Sequence, residues 1–422
     1  MGLKQSRPVT VEGFAAPGYE SVKEMFEKNC ERGAEDSAQL CVYVEEKKVV
    51  DLWWSMSNPK YTGDTLTNVF SSTKSLTAIA MAALQDKGLI SYDEKISTYW
   101  PEFGQNGKED VTVADLMRHE AGLASLDNPP TFEDTWTENI KKNCLGSKIE
   151  TEKCNYPTHG KGTREYHGIS RGWIANEIFR RMDPGKRTIG EYLMEDVAKP
   201  LNADVYVGAR NEKFEDYAPT VEIPMSSVLG ESIKATFTDS AVDVDFISLL
   251  GVFNMLRKIY AGAGASKPAF QPNGVDDMTK IGPLFNMEAV RRGETSSANG
   301  NCSARGLALV AAAMANQGSI NGVQVLSKQG CEALHKDPVE APLFGIWPTN
   351  FTQGGVNKFD QASGRDGYYG WFGYGGSVFQ WHPELKIGFA YTPTYLHAFD
   401  LTNNRGRMLQ QEAVKCAKNM KN

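Results

Sequence analysis

Strand-like runs stand at the two ends of this chain and helical patterns fill the long stretch between, so any large sheet must be assembled from both ends. Residues 40–44 and 49–53, on either side of the polar Glu45-Glu46-Lys47-Lys48, read as a hairpin, and 377–381 and 386–391 read as two strands joined through His382-Pro383-Glu384. Val22, Met25, Phe26 and Cys30 give an apolar stripe to an N-terminal helix; Leu409, Ala413, Cys416 and Met420 give one to a C-terminal helix. Helical patterns lie between, over 115–118, 172–181, 188–197, 247–259 and 304–316. The economical arrangement is an α+β fold, with one antiparallel sheet built from both chain ends, flanked by helices, and a mainly helical lobe inserted. Residues 1–422 then form one unit, with 1–65 and 300–422 as a discontinuous sheet-containing lobe and 66–299 as the helical lobe. A cleft between sheet and lobe is the expected place for a site.

The chain has 422 residues, 41% hydrophobic and 23% charged, with a formal net charge of -7. That length holds a large core. The acidic balance and the lack of a basic run interleaved with aromatics argue against a nucleic-acid partner. Seven cysteines are spread widely, with no C-x-x-C pair and no His/Cys cluster of zinc spacing, so reduced thiols in the cytoplasm, no metal and no cofactor are expected. Cys144 and Cys154 flank a short polar segment and are the candidates for a bridge in an oxidising compartment. No stretch approaches the ~20 apolar residues that span a bilayer. Met1-Gly2-Leu3-Lys4-Gln5-Ser6 fits the N-myristoylation pattern, which in a eukaryotic host would give weak membrane association through Gly2.

Ser71-Ser72-Thr73-Lys74 carries the chemistry. Leu76, Ile79, Ala80, Ala83 and Leu84 follow at helical spacing until Gly88, a C-cap residue, so Ser71 and Lys74 share one face at i and i+3. A hydroxyl and an amine so placed can make a serine nucleophile without histidine. The plain alternative is Ser71 as an N-cap with Lys74 solvated. Ser57-Asn58-Pro59-Lys60 repeats the spacing, but Pro59 forces Asn58 toward an extended conformation, and the motif falls in a loop. Gly168-Ile169-Ser170-Arg171-Gly172 is a literal G-x-S-x-G, yet the polar 160–165 segment before it is no buried strand, so an elbow at Ser170 is rejected.

With Ser71 and Lys74, three later segments resemble the β-lactamase-like serine hydrolases, class C β-lactamases and family VIII carboxylesterases above all. Tyr99-Trp100-Pro101-Glu102-Phe103 and Val111-Thr112-Val113, through His119-Glu120-Ala121-Gly122-Leu123, resemble the scaffold after the nucleophile helix, with His119 structural. Tyr166-His167-Gly168 resembles the family's Y-x-N element with the asparagine lost. Gly370-Trp371-Phe372-Gly373-Tyr374-Gly375-Gly376-Ser377 resembles its K-T-G or H-x-G element, with Trp371 where the family has a cation and Phe372 where it often has Thr. Ser297-Ala298-Asn299 mimics an S-x-N element but reads as a polar loop.

The resemblance implies Ser71, Lys74 and Tyr166 as the catalytic set, backbone N–H groups of Ser71 and Tyr374 as oxyanion hole, and a substrate pocket of Trp371, Phe372, Gly373 and His167. It implies a small-molecule ester or amide substrate, an acyl-enzyme on Ser71, and no cofactor. Lys74 and Tyr166, ordinarily titrating at about 10.4 and about 10, would need a shift of roughly three units to act as base at neutrality. Which of the two takes the proton is open. Loss of the cation at 371 turns the expectation toward small or medium acyl esters. The rival readings are a β-lactamase, D-amino-acid peptidase or acyltransferase on the same site, and a non-catalytic binding or assembly protein that keeps the fold.

Overall fold

The computed structural model describes residues 9–155, 164–208, 217–223, 270, 281–343, 347–360, 364–397 and 403–421. Its main element is a nine-stranded antiparallel sheet: β1 (Glu12–Ala15), β2 (Ser37–Val44), β3 (Lys47–Ser55), β4 (Val339–Leu343), β5 (Trp347–Phe351), β6 (Asn357–Phe359), β7 (Tyr368–Phe372), β8 (Val378–His382) and β9 (Ile387–Pro393). The spatial order is β1-β3-β2-β9-β8-β7-β6-β5-β4. The two chain ends meet at β2 and β9, where Leu40 pairs with Tyr391 and Val42 with Phe389.

Alternation along these strands divides the core. Leu40, Val42, Phe389 and Tyr391 face helices α1 (Glu20–Glu31) and the C-terminal helix, through Val22, Phe26, Leu409 and Ala413. Cys41, Tyr43 and Ala390 face the opposite way, into the larger core that holds α2 (Thr73–Asp86), α3 (Ser170–Met182) and α4 (Ala304–Ala315); the C-terminal helix is α5 (Asn404–Asn419). Small residues let α4 lie close on the sheet: a Cβ on Gly388 would stand 2.4 Å from the backbone nitrogen of Ala312. The inserted stretch supplies α2, α3 and the loops around them. The exchanges we propose between lobes, near 65 and 300, sit side by side, because Thr67 and Asn68 pair with Cys302 and Asn301.

Two local expectations change. Met420 lies just past the end of α5 and is exposed, so the buried stripe of that helix ends at Cys416 and Ala417. Helix α2 is buried on every side from Thr73 to Leu84, not along one stripe. Two of its hydroxyls meet neighbouring main chain instead of water: Thr77 Oγ1 donates to the Ser296 carbonyl, and Thr73 Oγ1 accepts from Gly300 N–H. The helix stops as expected, at Gly88 with φ +67°, whose N–H returns to Gln85. The expected helix over 247–259, and Gly2, lie outside the described residues. Cys144 carries a free thiol, so no bridge joins it to Cys154. Among the described residues no helix is long and apolar enough to cross a membrane, and no group of His, Cys, Asp and Glu is arranged to hold a metal ion.

Candidate active site

Ser71 lies in a 3-10 turn, Phe70–Ser72, that runs directly into α2, so the Ser71-to-Lys74 step spans the joint between the two helical forms. The residue before it is strained: Phe70 has φ +44°, a left-handed conformation costly to a bulky side chain, and its N–H is held by Asn68 Oδ1 at 2.7 Å. Phe70 then packs edge-on against Phe285 and Tyr374, with ring centroids at 5.3 and 5.6 Å. The turn thereby lifts Ser71 out of the core. Ser71 is half-buried while Lys74, one turn on, is 1% exposed.

Two side chains converge on the serine, and a third braces one of them. Tyr166 Oη donates to Ser71 Oγ at 2.7 Å, and Lys74 Nζ lies 3.1 Å from the same oxygen. Trp371 Nε1–H donates to Tyr166 Oη at 3.2 Å. Lys74 Nζ also donates to the carbonyls of Gly168, at 2.7 Å, and Ser297, at 3.0 Å. A neutral amine has two N–H bonds and one lone pair; the two carbonyls take the first, and the lone pair is left for the Ser71 hydroxyl. Burial, reinforced by the Arg171 charge, holds Lys74 well below the usual lysine range. Burial raises Tyr166 above its ordinary value, against the lowering effect of its bonds with Ser71 and Trp371.

Tyr166 is positioned from both sides. Arg164 is buried and pairs with Glu120 at 2.7 Å while donating to Thr349 Oγ1 at 2.9 Å and to the carbonyls of Ala341 and Val339, which pins the 164–166 segment to β4 and β5. His119, with φ +67°, places its ring 4.9 Å from that of Tyr166 and accepts the His167 N–H on Nδ1 at 3.0 Å. Burial keeps His119 neutral, as a packing residue should be. The turn beyond β7 is clamped too. A Cβ on Gly373 would stand 2.3 Å from the Val69 carbonyl, so only glycine lets this turn approach the nucleophile. Asn403 Nδ2 donates to the carbonyls of Gly373 and Ser377, at 3.0 and 2.8 Å. Arg405, in a fully buried pair with Glu35, donates to the Gly375 carbonyl.

The expected pocket is partly corrected. His167 is fully buried: its Nε2 accepts the Leu123 N–H at 3.0 Å and its Nδ1 meets the Glu165 carbonyl, so the imidazole points away from Ser71 and cannot touch a substrate. Trp371 and Phe372 are 4% and 8% exposed, stacked on each other and packed against Phe351, Phe359 and Trp347. They form the floor beneath Tyr166, not an open wall, and Gly373 is buried with them. Among the described residues of the site, Tyr166, Gly168 and Tyr374 keep some exposure. Ser170 is buried and donates to the Leu123 carbonyl at 2.6 Å, as a helix-start residue and no nucleophile. The Ser57 motif lies in a loop, its Oγ on Asp36. Sequence reasoning missed the back of the site: the Ser297 and Gly168 carbonyls act through main chain, and Arg164 and Arg171 were passed over.

Comparisons with known proteins agree with this architecture. A profile of the Beta-lactamase family matches residues 22–412. The esterase/beta-lactamase LipL of Mycobacterium tuberculosis is 27% identical over 390 residues, 90% of this chain and 82% of that protein. The crystal structure of a family VIII carboxylesterase superposes with a TM-score of 0.76 at 25% identity, covering 97% of this chain and all of the other. A penicillin-binding protein homolog from Caulobacter crescentus gives the same TM-score at 24% identity, and a D-amino acid amidase from Ochrobactrum anthropi gives 0.60 at 14%; both show the fold alone. The chain belongs to the β-lactamase family, as a serine hydrolase of the β-lactamase/transpeptidase-like fold.

Proposed function

We propose that this protein is a carboxylesterase for small or medium acyl esters, working through an acyl-enzyme on Ser71. The observation that carries the reading is the convergence of Lys74 Nζ and Tyr166 Oη on Ser71 Oγ. In the proposed cycle Ser71 Oγ attacks the ester carbonyl carbon as its proton passes to the Lys74 lone pair. The tetrahedral oxyanion is received by the backbone N–H groups of Ser71 and Tyr374. Collapse breaks the bond to the alkoxide, which leaves as the alcohol after taking a proton from Tyr166 Oη, and the Lys74 ammonium gives its extra proton to the Tyr166 phenolate, so that amine and phenol are both restored. Water then enters by the same proton route and releases the acid.

Lys74 is the base in this reading because desolvation acts oppositely on the two candidates, favouring the uncharged amine and the uncharged phenol. Tyr166 is then a proton donor, consistent with the direction of its bond to Ser71. The preference for esters over anionic β-lactams rests on what stands at the two altered motif positions. Trp371 brings a neutral N–H already given to Tyr166, and Gly168 brings no amide side chain. Among the described residues a carboxyl, Glu222, meets Tyr374, with Oε2 at 3.5 Å from the phenol, which disfavours a substrate carboxylate on that side. The likeness to the family VIII carboxylesterase supports the same preference, and the likeness to LipL, which is named as both esterase and beta-lactamase, supports the serine chemistry common to the two. The test is kcat/KM for p-nitrophenyl butyrate and for nitrocefin on the wild-type protein and Ser71→Ala. We expect the ester to be favoured and both rates to vanish in the variant; nitrocefin outperforming the ester would overturn the esterase assignment.

A further inference from the structure

Among the described residues, Arg171 is a guanidinium buried without a counter-charge. Its side chain on α3 is fully enclosed, Nη1 donates to the carbonyls of Met117 and Gly355, both at 3.1 Å, and Nη2 donates to the carbonyl of Lys74 itself at 2.9 Å. Nε has no acceptor. Arg164 and Arg405, also buried, each meet a carboxylate, whereas among the described residues none pairs with Arg171. A buried unpaired charge is costly. An uncharged amide could satisfy several of these carbonyls without that cost, so the charge asks for a use of its own.

The titratable groups facing it are Lys74 on α2, Tyr92, His119, whose Nε2 lies 3.2 Å from Nη1, Tyr166 and His167. None supplies a compensating anion. Burial first, then Arg171, keeps His119 uncharged, and burial brings His167 down to about 4, so neither histidine adds a second cation at neutral pH. Lys74 is the group that can answer the field, by giving up its proton.

We propose that Arg171 is a positioning residue for the proton transfer: its charge, locked beneath α2 without a carboxylate, keeps the Lys74 amine uncharged so that its lone pair faces the Ser71 hydroxyl. The proposal rests on the Ser71–Lys74 reading given above. It is a role in electrostatics that a purely structural arginine would not have.

The test is the pH dependence of Ser71 labelling by a fluorophosphonate and of kcat/KM for p-nitrophenyl acetate, in wild type, Arg171→Gln and His119→Glu. The first variant removes the charge; the second sets a carboxylate beside it and keeps Arg171 in place. Each should move the acid limb up by about one pH unit, with rates near pH 9 within about tenfold of wild type. A folded variant, checked by circular dichroism, that loses rate with its acid limb unmoved overturns the proposal. Should neither variant fold, wild type decides: labelling that levels off by pH 7 supports it, and labelling that keeps climbing to pH 10 overturns it. Lys74→Ala separates the two layers, since wild-type labelling in that variant would sink the base assignment itself.

Discussion

Lys74 Nζ and the carbonyl oxygen of Gly168 lie 2.7 Å apart, which ties the amine on α2 to the main chain two residues beyond Tyr166. The amine and the phenol are thus registered to each other by one short stretch of backbone, and Ser71 Oγ stands between them. Where relatives of this motif carry an asparagine side chain, this chain has none, and its main-chain carbonyl holds the lysine.

That shared framework makes the two residues one unit. Lys74→Ala and Tyr166→Phe should each lower the acylation rate by about a hundredfold or more, and the double variant should lose far less than the product of the two. Single-turnover measurements with a p-nitrophenyl ester check this; multiplicative losses would mean that the two do not share a proton path.

A buried amine that works as a base is a burden on folding. Lys74 titrates lower in the folded than in the unfolded chain, so it costs stability at all pH values below its unfolded value of about 10.4. The cost is full below its folded value and fades as pH rises between the two. Lys74→Met should therefore abolish activity yet raise the stability at pH 7, and the gain should shrink toward pH 10. Urea unfolding at several pH values measures it. A variant less stable than wild type at pH 7 would contradict the proposed protonation state.

Trp371→Phe keeps an aromatic ring in the floor but removes the N–H that Tyr166 Oη accepts. Loss of one such bond is worth about 1 kcal/mol, so kcat should fall by roughly fivefold to tenfold with KM little changed. Steady-state kinetics with short-chain esters decide, and a change confined to KM would make Trp371 a binding residue only.

The turn carrying Tyr374 depends on a contact that admits no side chain and on a buried ion pair. Gly373→Ala drives a methyl into the Val69 carbonyl and should cost about 1–3 kcal/mol with a marked loss of activity. Glu35→Gln, which leaves Arg405 buried with its partner's charge gone, should cost about 3–5 kcal/mol. Thermal melts of both variants check these; an unchanged melting temperature in either would show that the turn is not held as described.

Much of this was legible in the residues. The hairpin of β2 and β3, the strands β8 and β9, and the run of α2 to Gly88 follow from alternation, helical spacing and a glycine stop, all local signals. Ser71, Lys74 and Tyr166 come together because an ordered set of motifs fixes them. His167 was misplaced because its neighbours in sequence say nothing of which way a ring turns; Leu123, far along the chain, decides that. Ser297 and Gly168 contribute carbonyls, which every residue has, so no residue type marks them. Arg171 sits inside a segment read for its serine, and the role proposed for it rests on the absence of a carboxylate among the described residues, a fact of packing that composition cannot express. Trp371 is expected as a pocket wall on the strength of its apolar ring, but Tyr166, Phe351, Phe359 and Phe372 pack around it and leave the N–H as its working edge.

The central claim is that Ser71 is the acylated nucleophile. Incubation with a fluorophosphonate, then intact-mass measurement and peptide mapping, tests it most directly. We expect a single adduct on the peptide bearing Ser71, absent in Ser71→Ala and retained in Ser170→Ala. An adduct on Ser170, or equal labelling of Ser71→Ala and wild type, would contradict it.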